Sequence, residues 1–536
     1  MKARLFGMET EYAFTARATD GLVLEPAGLV QQMERLAGRL QPSVPGFTSA
    51  GVFLANGSRL YRDPAGGYTH LEIAGPECAN PWDVVRYLQA GERLLVSLAA
   101  ALREANRLVD QATFYKSNVD YYAHTAWGCH ESYLTSQPLA AVSPQIVPHL
   151  VSRLILTGAG GFDGRAPGIE FLLSPRVAHT STVEGQGSQL ERPIFHTKDE
   201  PLSRAHQRLH VICGESTCAE ESAWIKVAAT ALVVALIDAG LRPGDAVTLA
   251  DPVAAMRAFA RDPDARATAD LADGRRLNAV AVQRHYLDLA ERHQADAFMP
   301  AWAPRACAAW RRLLDRVERG PAHVRRSLDW AIKFAWFQQH AARRGFDWNR
   351  LPDWNAALVR LQAAAREPIA STPDGFIPDT RVPLTPATRA VLATAPGPGL
   401  DWEQLPRLLR LRRELFELDW RYAELGPGSL FEQLDRAGLL QHRVAGVDNI
   451  EHAMDHPPDF GRARVRGRAI RRVAHVRTRF ACDWGSLWDL ENRAMLDLGD
   501  PFAEEEQWQN VSHLPLSRLF RPPPAVPAPE AGATSS

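Results

Sequence analysis

The feature that most constrains the fold of this chain is a set of charged residues at every second position in three short segments near the N-terminus. Alternate side chains of a β-strand point to the same face of a sheet. This spacing places Glu9 and Glu11 together on one face of the first segment. In the second segment, Arg59, Tyr61 and Asp63 share a face. We therefore expect residues 1–80 to be rich in strands.

The third segment places His70, Glu72 and Ala74 on one face. Burying carboxylates against a sheet costs free energy unless cations compensate for the lost hydration. Divalent metal ions that hold a polyphosphate, with Arg59 beside them, would provide this compensation. A solvated sheet with charged outer positions is the alternative for any single strand. Three such strands favour a site, and the pattern predicts an ATP-using enzyme.

The composition indicates a globular protein without a strong overall charge. The chain has 536 residues, with 61 Lys and Arg against 62 Asp and Glu, which argues against nucleic-acid and membrane partners. Its six cysteines form no Cys-x-x-Cys pair, so we expect neither a zinc site nor a disulfide framework. The longest apolar run, 227–236, is too short to cross a bilayer. The expected location is the cytoplasm.

The order of the predicted elements favours an α+β fold. Strand-like segments come first and long helical segments follow, without the alternation of strands and helices that is typical of a doubly wound sheet. The apolar run lies within a helix predicted over 216–239. The segment 169–178 is predicted to be extended. The predicted units are a catalytic domain over 1–440 with a Pro-rich excursion at 372–400, a small C-terminal domain over 441–515 and a disordered tail over 516–536.

Several further motifs follow one another in the order found in a known family. They are GMETEY at 7–12, NGSRLYRD at 56–63, GCHESY at 128–133, RPI at 192–194 and RLHVI at 208–212. With these motifs the chain resembles the Pup–protein ligase and Pup deamidase/depupylase family, relatives of glutamine synthetase. The resemblance implies a glutamine-synthetase-like cradle, an antiparallel sheet packed with helices, and a smaller C-terminal domain that closes over a nucleotide.

The same resemblance implies roles for individual residues. Asp63 corresponds to the catalytic carboxylate, and Arg59 would face the ATP phosphates. Trp484 would contact the nucleotide, and Gly75 stands where the family has a nucleotide-contacting Thr. The residues implied at Mg²⁺ are Glu9, Tyr61 and Glu72, with Glu11, His130 and Glu131 as further metal or phosphate contacts.

The activity implied by the resemblance is an ATP- and Mg²⁺-dependent ligation. The C-terminal Glu side chain of a Pup-like modifier would be joined to substrate lysines through a γ-glutamyl phosphate, in a pathway that can include a proteasome. The compact spacing between Glu11 and Asn56 favours the ligase, whereas the stretch at 261–277 is more similar to the hydrolase. The alternatives are therefore a deamidase/depupylase and, because of Gly75 and Glu215, an inactive nucleotide- or modifier-binding protein.

One basic segment, the arginine run at 462–472, has two interpretations at this point. It is either a solvated helix face or a contact for an acidic, disordered modifier. The neutral overall charge and the lack of interleaved aromatic residues argue against nucleic acid.

Overall fold

The computed structural model describes residues 4–47, 51–63, 69–123, 125–187, 192–197, 203, 205–364 and 404–513. The predicted Pro-rich excursion at 372–400 and the predicted tail at 516–536 lie outside the described residues.

The strands of the described residues form one large sheet and three smaller ones. The strands are β1 (Phe6–Arg17), β2 (Ser43–Pro45), β3 (Val52–Leu54), β4 (Arg59–Asp63), β5 (His70–Ala74), β6 (Gln111–Tyr115), β7 (Cys129–Thr135), β8 (Gly161–Phe162), β9 (Phe171–Leu172), β10 (Thr180–Gly185), β11 (Arg192–His196), β12 (Gln207–Val211), β13 (Thr268–Asp270), β14 (Arg276–Asn278), β15 (Phe480–Cys482), β16 (Ser486–Asp489), β17 (Ala494–Asp497) and β18 (Trp508–Asn510).

The helices of the described residues lie between these strands and, for the most part, after the strands of the large sheet. They are α1 (Pro26–Leu40), α2 (Pro81–Ala105), α3 (Leu139–Ser152), α4 (Leu154–Thr157), α5 (Glu220–Asp238), α6 (Pro252–Ala260), α7 (Ala279–His293), α8 (Ala303–Glu318), α9 (Asp329–Arg343), α10 (Leu351–Ala364), α11 (Leu405–Ala423), α12 (Leu430–Arg436), α13 (Ile450–Asp455) and α14 (Gly461–Val473).

The main sheet has ten strands in the order β10-β11-β12-β7-β1-β5-β4-β3-β2, with β6 paired to β1. Its neighbouring strands are antiparallel, except that β10 runs parallel to β11. This mainly antiparallel sheet, followed by helices, confirms the α+β prediction. In its register, Glu11 lies opposite Glu72, and Glu72 lies opposite Tyr61.

The two faces of the central strands differ as their sequence alternation predicts. Tyr12, Leu60 and Leu71 are at most 1% exposed and pack against α1 and α2 on the back of the sheet. The charged residues that alternate with them point to the opposite face. Apolar burial on one side therefore fixes the register, because a shift by one residue would exchange the two faces.

Helix α5 lies at the centre of the main core. Its residues from Ser222 to Ile237 are buried on every side of the helix, as expected for a continuous apolar run. Helix α2 starts at Asn80, whose side chain accepts a hydrogen bond from the Asp83 backbone N–H at 2.9 Å. Helix α5 matches the helix predicted over 216–239 within a few residues. None of the helices among the described residues is both long and apolar enough to cross a membrane.

Two sequence expectations about local structure need correction. The stretch predicted as β-rich contains α1, whose Leu29, Val30 and Met33 cover the back of the sheet. The segment at 169–178, predicted to be extended, is a two-residue strand followed by a 3₁₀ turn over Pro175–His179. Proline at the first position of that turn favours the helical bend over a continued strand.

The C-terminal part of the described chain forms a second, smaller sheet in the order β15-β16-β17-β18. Together with α14, it packs on the β2–β3 edge of the main sheet through Val44, Phe53 and Ala55. Helix α13 belongs instead to the main core, because Ile450 and Ala453 are part of the same apolar cluster as α2. The domain boundary at 441 stays a prediction.

Candidate active site

The charged face of the main sheet borders a cavity of about 850 Å³. Strands β1, β4, β5, β7, β11 and β12 contribute residues to its wall. The acidic residues that line it are Glu9, Glu11, Asp63, Glu72 and Glu77, and the arginines are Arg59, Arg176, Arg192, Arg208 and Arg462. The structure thus brings together the charged side chains of the three N-terminal segments.

Acidic and histidine side chains form two groups, and within each group the possible ligand atoms all lie within 4.8 Å of one another. One group consists of Glu9, His130 and His210, and the other of Glu11, Asp63, His70 and Glu72. Such groups are able to hold metal ions, because carboxylate oxygens are the protein ligands that Mg²⁺ prefers and imidazole nitrogens suit transition metals.

Glu9 lies at the centre of a hydrogen-bonded set. It accepts a short hydrogen bond from the Tyr61 hydroxyl and a second one from Arg208 Nη2 at 3.3 Å. Burial raises the pKa of Glu9, but its hydrogen bond with Glu72 and the charge of Arg208 lower it well below its usual range overall. Burial and the neighbouring carboxylates raise the pKa of the Tyr61 hydroxyl, which therefore remains a neutral donor.

The pKa of Glu72, the hydrogen-bonded partner of Glu9, is shifted in the opposite direction. Burial and the charges of Glu9 and Glu11 raise the pKa of Glu72 well above its usual range. A lowered pKa on Glu9 and a raised pKa on Glu72, its hydrogen-bonded partner, is the pattern of two carboxyl groups that share a proton. A divalent cation would take the place of such a proton, because it would neutralise both carboxyl groups at once. The donor set therefore fits Mg²⁺.

Glu11 is held by backbone and histidine groups. The Gly128 N–H donates to Glu11 Oε2 at 2.6 Å, and the Nε2 atoms of His70 and His130 lie 4.0 and 3.9 Å from its carboxylate oxygens. Both ring nitrogens of His70, and both of His210, are buried without a hydrogen-bond partner among the described residues. Buried polar atoms normally have partners. Their concentration at this wall indicates a ligand-binding site.

Aromatic and cationic groups occupy the flank of the cavity next to the C-terminal sheet. The Arg59 guanidinium lies 4.2 Å from the centre of the Tyr61 ring and 5.5 Å from that of Phe53. Trp484, in the β15–β16 turn, packs edge-on against Phe53 with ring centres 5.3 Å apart. Gly75 also lines the cavity, and a Cβ atom there would lie 3.1 Å from the Met8 carbonyl oxygen.

The structure does not bring Glu131 into this site, and that expectation is corrected. Glu131 is fully buried on the other side of β7, where Arg153 donates to both of its oxygens at 2.6 and 2.8 Å. Its neighbour His130 points into the cavity. Alternation along β7 therefore places only one of the two residues at the site.

Glu215, one of the two residues that suggested an inactive protein, has a structural role. Its carboxylate is 2% exposed and accepts hydrogen bonds from the backbone N–H groups of Ala159 and Arg176 at 2.7 and 2.9 Å. Glu215 does not line the cavity. It therefore gives no reason to regard the site as degenerate.

The arginine run at 462–472 is not simply a solvated helix face. Arg462 and Arg466 are at most 2% exposed, and both donate to the carboxylate of Glu77, at 2.6 and 2.7 Å. Their spacing of four residues on α14 places them on one helix face. That spacing, together with the acid after β5, was a signal for an ion-pair contact between the two sheets that sequence reasoning missed.

Four further residues line the cavity although the sequence did not assign them to it. They are Arg176, Arg192, Arg208 and His210. The alternation within RLHVI carried a signal for two of them, since Arg208 and His210 share one face of a strand. Arg176 follows Pro175 in an irregular segment, where no periodicity indicates a direction.

Fold and cavity together define an α+β enzyme with a carboxylate-lined site on its sheet. A family model described as Pup-ligase protein matches residues 4–362 and 399–488. The chain is 30% identical over 515 residues to the Pup–protein ligase of Acidimicrobium ferrooxidans. This match covers 94% of this chain and 97% of the relative. The chain therefore belongs to the Pup ligase family.

Two further comparisons show how the relatives differ. The Pup deamidase/depupylase of Mycolicibacterium smegmatis is 38% identical over 328 residues, which cover 58% of this chain and 64% of that one. Among solved structures, the complex between the prokaryotic ubiquitin-like protein Pup and its ligase PafA has a TM-score of 0.69 at 25% identity, covering 94% of this chain and 90% of that one. The ADP complex of PafA, with a TM-score of 0.65 at 24% identity, covers 90% and 92% and shows the same fold.

Proposed function

We propose that this enzyme uses ATP and Mg²⁺ to join the C-terminal Glu side chain of a Pup-like modifier to lysines of protein substrates. The observation that carries the proposal is the placement of Asp63 with Glu11, His70 and Glu72 in one wall of the cavity, their ligand atoms within 4.8 Å. A ligase of this kind needs oxygen ligands for metal and a base for the amine at one place.

The nucleotide is proposed to bind at the flank next to the C-terminal sheet. Arg59 would contact its phosphates, and Trp484 would contact the base near Gly75, since all three line that part of the cavity. The side chains proposed to hold Mg²⁺ are Glu9, Tyr61 and Glu72, with Glu11 and His130 beside them. Bound there, the metal would neutralise charge on the transferring phosphoryl group.

Asp63 is proposed to accept a proton from the incoming lysine. An ammonium group is not a nucleophile, so a carboxylate must take its proton before the amine attacks the activated γ-carboxyl carbon. Asp63 ends β4 opposite His70 and lies two residues beyond Tyr61, with which it shares the cavity face. This position sets it next to the metal-binding carboxylates without requiring it to bind the metal.

The ligase is favoured over the hydrolase by the extent of the relationship. The ligase relatives from Acidimicrobium ferrooxidans and Kribbella flavida match 94% and 95% of this chain, whereas the deamidase/depupylase of Mycolicibacterium smegmatis matches 58%. The Pup-ligase family model also extends to residue 488, beyond Trp484. The six cysteines are free thiols, which suits the proposed location in a reducing cytoplasm.

Mass spectrometry of the purified protein with ATP, Mg²⁺, an acceptor protein and Pup in Glu-ended and Gln-ended forms tests this proposal. We expect the Glu-ended form to appear on acceptor lysines with release of ADP. Conversion of the Gln-ended form to Glu without conjugation would identify the hydrolase instead. Binding of ATP or Pup with neither product would identify an inactive binding protein.

A single substitution tests the role of Asp63. Asp63→Asn keeps the size of the side chain but removes the base, and a general base typically contributes a factor of about 10²–10⁴ to the rate. We expect ligation to fall by that factor while ATP binding, measured by calorimetry, stays unchanged. The exposed Asp110→Asn serves as the matched control and should ligate like the wild type. Wild-type ligation by Asp63→Asn would show that the assigned role is wrong.

A further inference from the structure

His70 is a buried residue of the cavity wall that takes no part in the roles proposed above. It is the first residue of β5, and its imidazole ring lines the cavity although the residue is only 6% exposed. Neither Nδ1 nor Nε2 has a hydrogen-bond partner among the described residues. Leaving buried polar atoms unsatisfied costs free energy, and a cost of this kind at the wall of a site points to a functional partner.

The strand register places His70 beside the proposed base. In the β4–β5 pair, the Cα atoms of His70 and Asp63 lie directly opposite each other. Opposite residues of antiparallel strands share a face, with Cβ atoms about 4.5–5.5 Å apart. One ring nitrogen of His70 lies within 4.8 Å of a carboxylate oxygen of Asp63, and equally of one of Glu11 and one of Glu72. The ring therefore faces three carboxyl groups through one nitrogen.

This position determines which nitrogen carries the proton of the neutral ring. A neutral imidazole has one N–H donor and one acceptor nitrogen. A lone pair directed at carboxylate oxygens would be repelled, whereas an N–H group is attracted to them. We therefore assign the proton to the nitrogen that faces the acids. His70 is thus a single hydrogen-bond donor directed at the group that contains Asp63.

The other two acids of this group are committed elsewhere. Glu11 Oε2 accepts the Gly128 N–H at 2.6 Å and lies 4.0 Å from His70 Nε2, which is beyond hydrogen-bond distance. Glu72 shares a hydrogen bond with Glu9 and is one of the side chains proposed for Mg²⁺. Asp63 is the acid that requires a fixed orientation, because a base must direct one oxygen at the incoming amine.

We propose that His70 is a positioning residue that donates its N–H to Asp63 while the modifier is transferred to lysine. This inference rests on the proposed function, in which Asp63 takes one proton from the lysine ammonium. The amine nitrogen then bonds to the γ-carboxyl carbon, the bond from this carbon to the phosphate oxygen breaks, and the second amine proton leaves with the phosphate. The donor would hold one oxygen of Asp63, so that the other faces the amine. Hydrogen bonds of catalytic groups are often long in an unliganded site and shorten in the complex.

Removing the N–H should slow only the step that needs the base. His70→Leu removes both ring nitrogens and keeps an apolar side chain of moderate size. Loss of a residue that orients a catalytic group typically costs about 10–100-fold in rate, so we expect lysine conjugation to fall by this factor. Formation of the γ-glutamyl phosphate does not use the base and should continue. Because the ring nitrogens have no partners to lose, the melting temperature should stay unchanged or rise.

Two nucleophiles separate these steps. Hydroxylamine is already unprotonated at neutral pH, so it attacks the activated carboxyl carbon without a base, whereas a lysine ammonium requires one. Mass spectrometry measures the Pup hydroxamate and the Pup–lysine conjugate that form with ATP and Mg²⁺. We expect His70→Leu to form the hydroxamate at the wild-type rate and to form the conjugate about 10–100-fold more slowly. His70→Gln keeps an N–H donor and should recover part of the conjugation.

A double-mutant cycle tests whether His70 acts through Asp63. In an Asp63→Asn background, His70→Leu should change the residual conjugation by less than about twofold. His149→Leu is the matched control, because His149 is also fully buried but lies outside the cavity, with Nε2 3.0 Å from Thr230 Oγ1. This control should lower the melting temperature and leave the ratio of conjugate to hydroxamate unchanged.

The outcomes separate this inference from the proposed function. Equal loss of both products in His70→Leu would overturn the inference and would assign the ring to the metal or the nucleotide. Wild-type conjugation by His70→Leu would overturn it as well, as would a full effect of this variant in the Asp63→Asn background. Wild-type protein that forms neither product would refute the proposed ligase, and the inference with it. If His70→Leu fails to fold, His70→Met takes its place with the same expectations.

Discussion

The contact between Glu77 and the two arginines of α14 allows the sharpest energetic prediction. Glu77 follows β5 in the main body, whereas Arg462 and Arg466 belong to the unit that carries Trp484. Replacing Glu77 by Gln keeps the shape of the side chain but leaves two buried guanidinium groups without their carboxylate. The Arg466 Nη2 that serves Glu77 also donates to the Gly57 carbonyl oxygen at 2.9 Å, so it cannot simply turn to solvent.

Two independent arguments give the size of the effect. Although burial raises the pKa of Glu77, the two arginines lower it from 4.5 to about 2. At 1.36 kcal/mol per pKa unit, this difference corresponds to about 3 kcal/mol. Removing one partner of a buried ion pair costs about 3–5 kcal/mol in other proteins. Both arguments predict that Glu77→Gln loses about 3 kcal/mol of the free energy that docks the C-terminal unit.

Hydrogen exchange of amides in β15–β17 measures this docking. A loss of about 3 kcal/mol corresponds to an increase of roughly a hundredfold in exchange by local opening. We also expect the KM for ATP to rise, because Trp484 moves with this unit. Glu491→Gln is the control, since Glu491 pairs with Arg479 but its side chain is 70% exposed, and surface pairs contribute only about 0–1 kcal/mol. Exchange in Glu77→Gln within threefold of the wild type would refute the reasoning.

The pH dependence of the same contact has a definite sign. The pKa of Glu77 is lower in the folded state, so its contribution is complete above pH 4.5 and is lost as the pH falls towards about 2. Wild-type exchange in the C-terminal unit should therefore accelerate over this range. The Glu77→Gln variant lacks the titrating group and should show less of this acceleration.

Two further substitutions test the assignment of acids on opposite faces of the sheet. Glu9→Ala removes a hard oxygen ligand, so calorimetry should show weaker binding of Mg·ATP; unchanged affinity would displace Glu9 from the metal site. Glu131→Gln breaks the buried pair with Arg153, so we expect the free energy of unfolding to fall by about 3–5 kcal/mol. Its ATP affinity per folded molecule should match the wild type, and a selective loss of ATP binding without destabilisation would place Glu131 at the site after all.

Strand alternation explains why so much of the site could be predicted. In β4, apolar Leu60 alternates with Arg59 and Tyr61, and the buried position sets the direction of the other two. The same reasoning orients Glu9 and Glu72 correctly. It works wherever one face of a strand is buried in a core, because the periodicity then reports which side chains share a surface.

The reasoning fails where periodicity is absent or where both faces of a strand are buried. Arg176 lies in a 3₁₀ turn, so no local pattern shows that it borders the cavity. On β7, both His130 and Glu131 are polar, and the choice between the faces depends on Arg153, which comes from the end of α3. A contact between elements distant in sequence cannot be derived from the residues of one strand.

The charge balance of the cavity connects the proposed metal requirement to the two anionic substrates. Among the described residues that line it, five acids stand against five arginines, so their formal charges balance. Glu77 and Glu9 already engage arginines, which leaves few cations for a nucleotide triphosphate. Adding the phosphates beside Glu9 and Glu72 would bring like charges together at a cost of several kcal/mol. Divalent cations in place of the proton shared by this pair would remove that repulsion. The proposed metal requirement thus agrees with the electrostatics of the sheet itself.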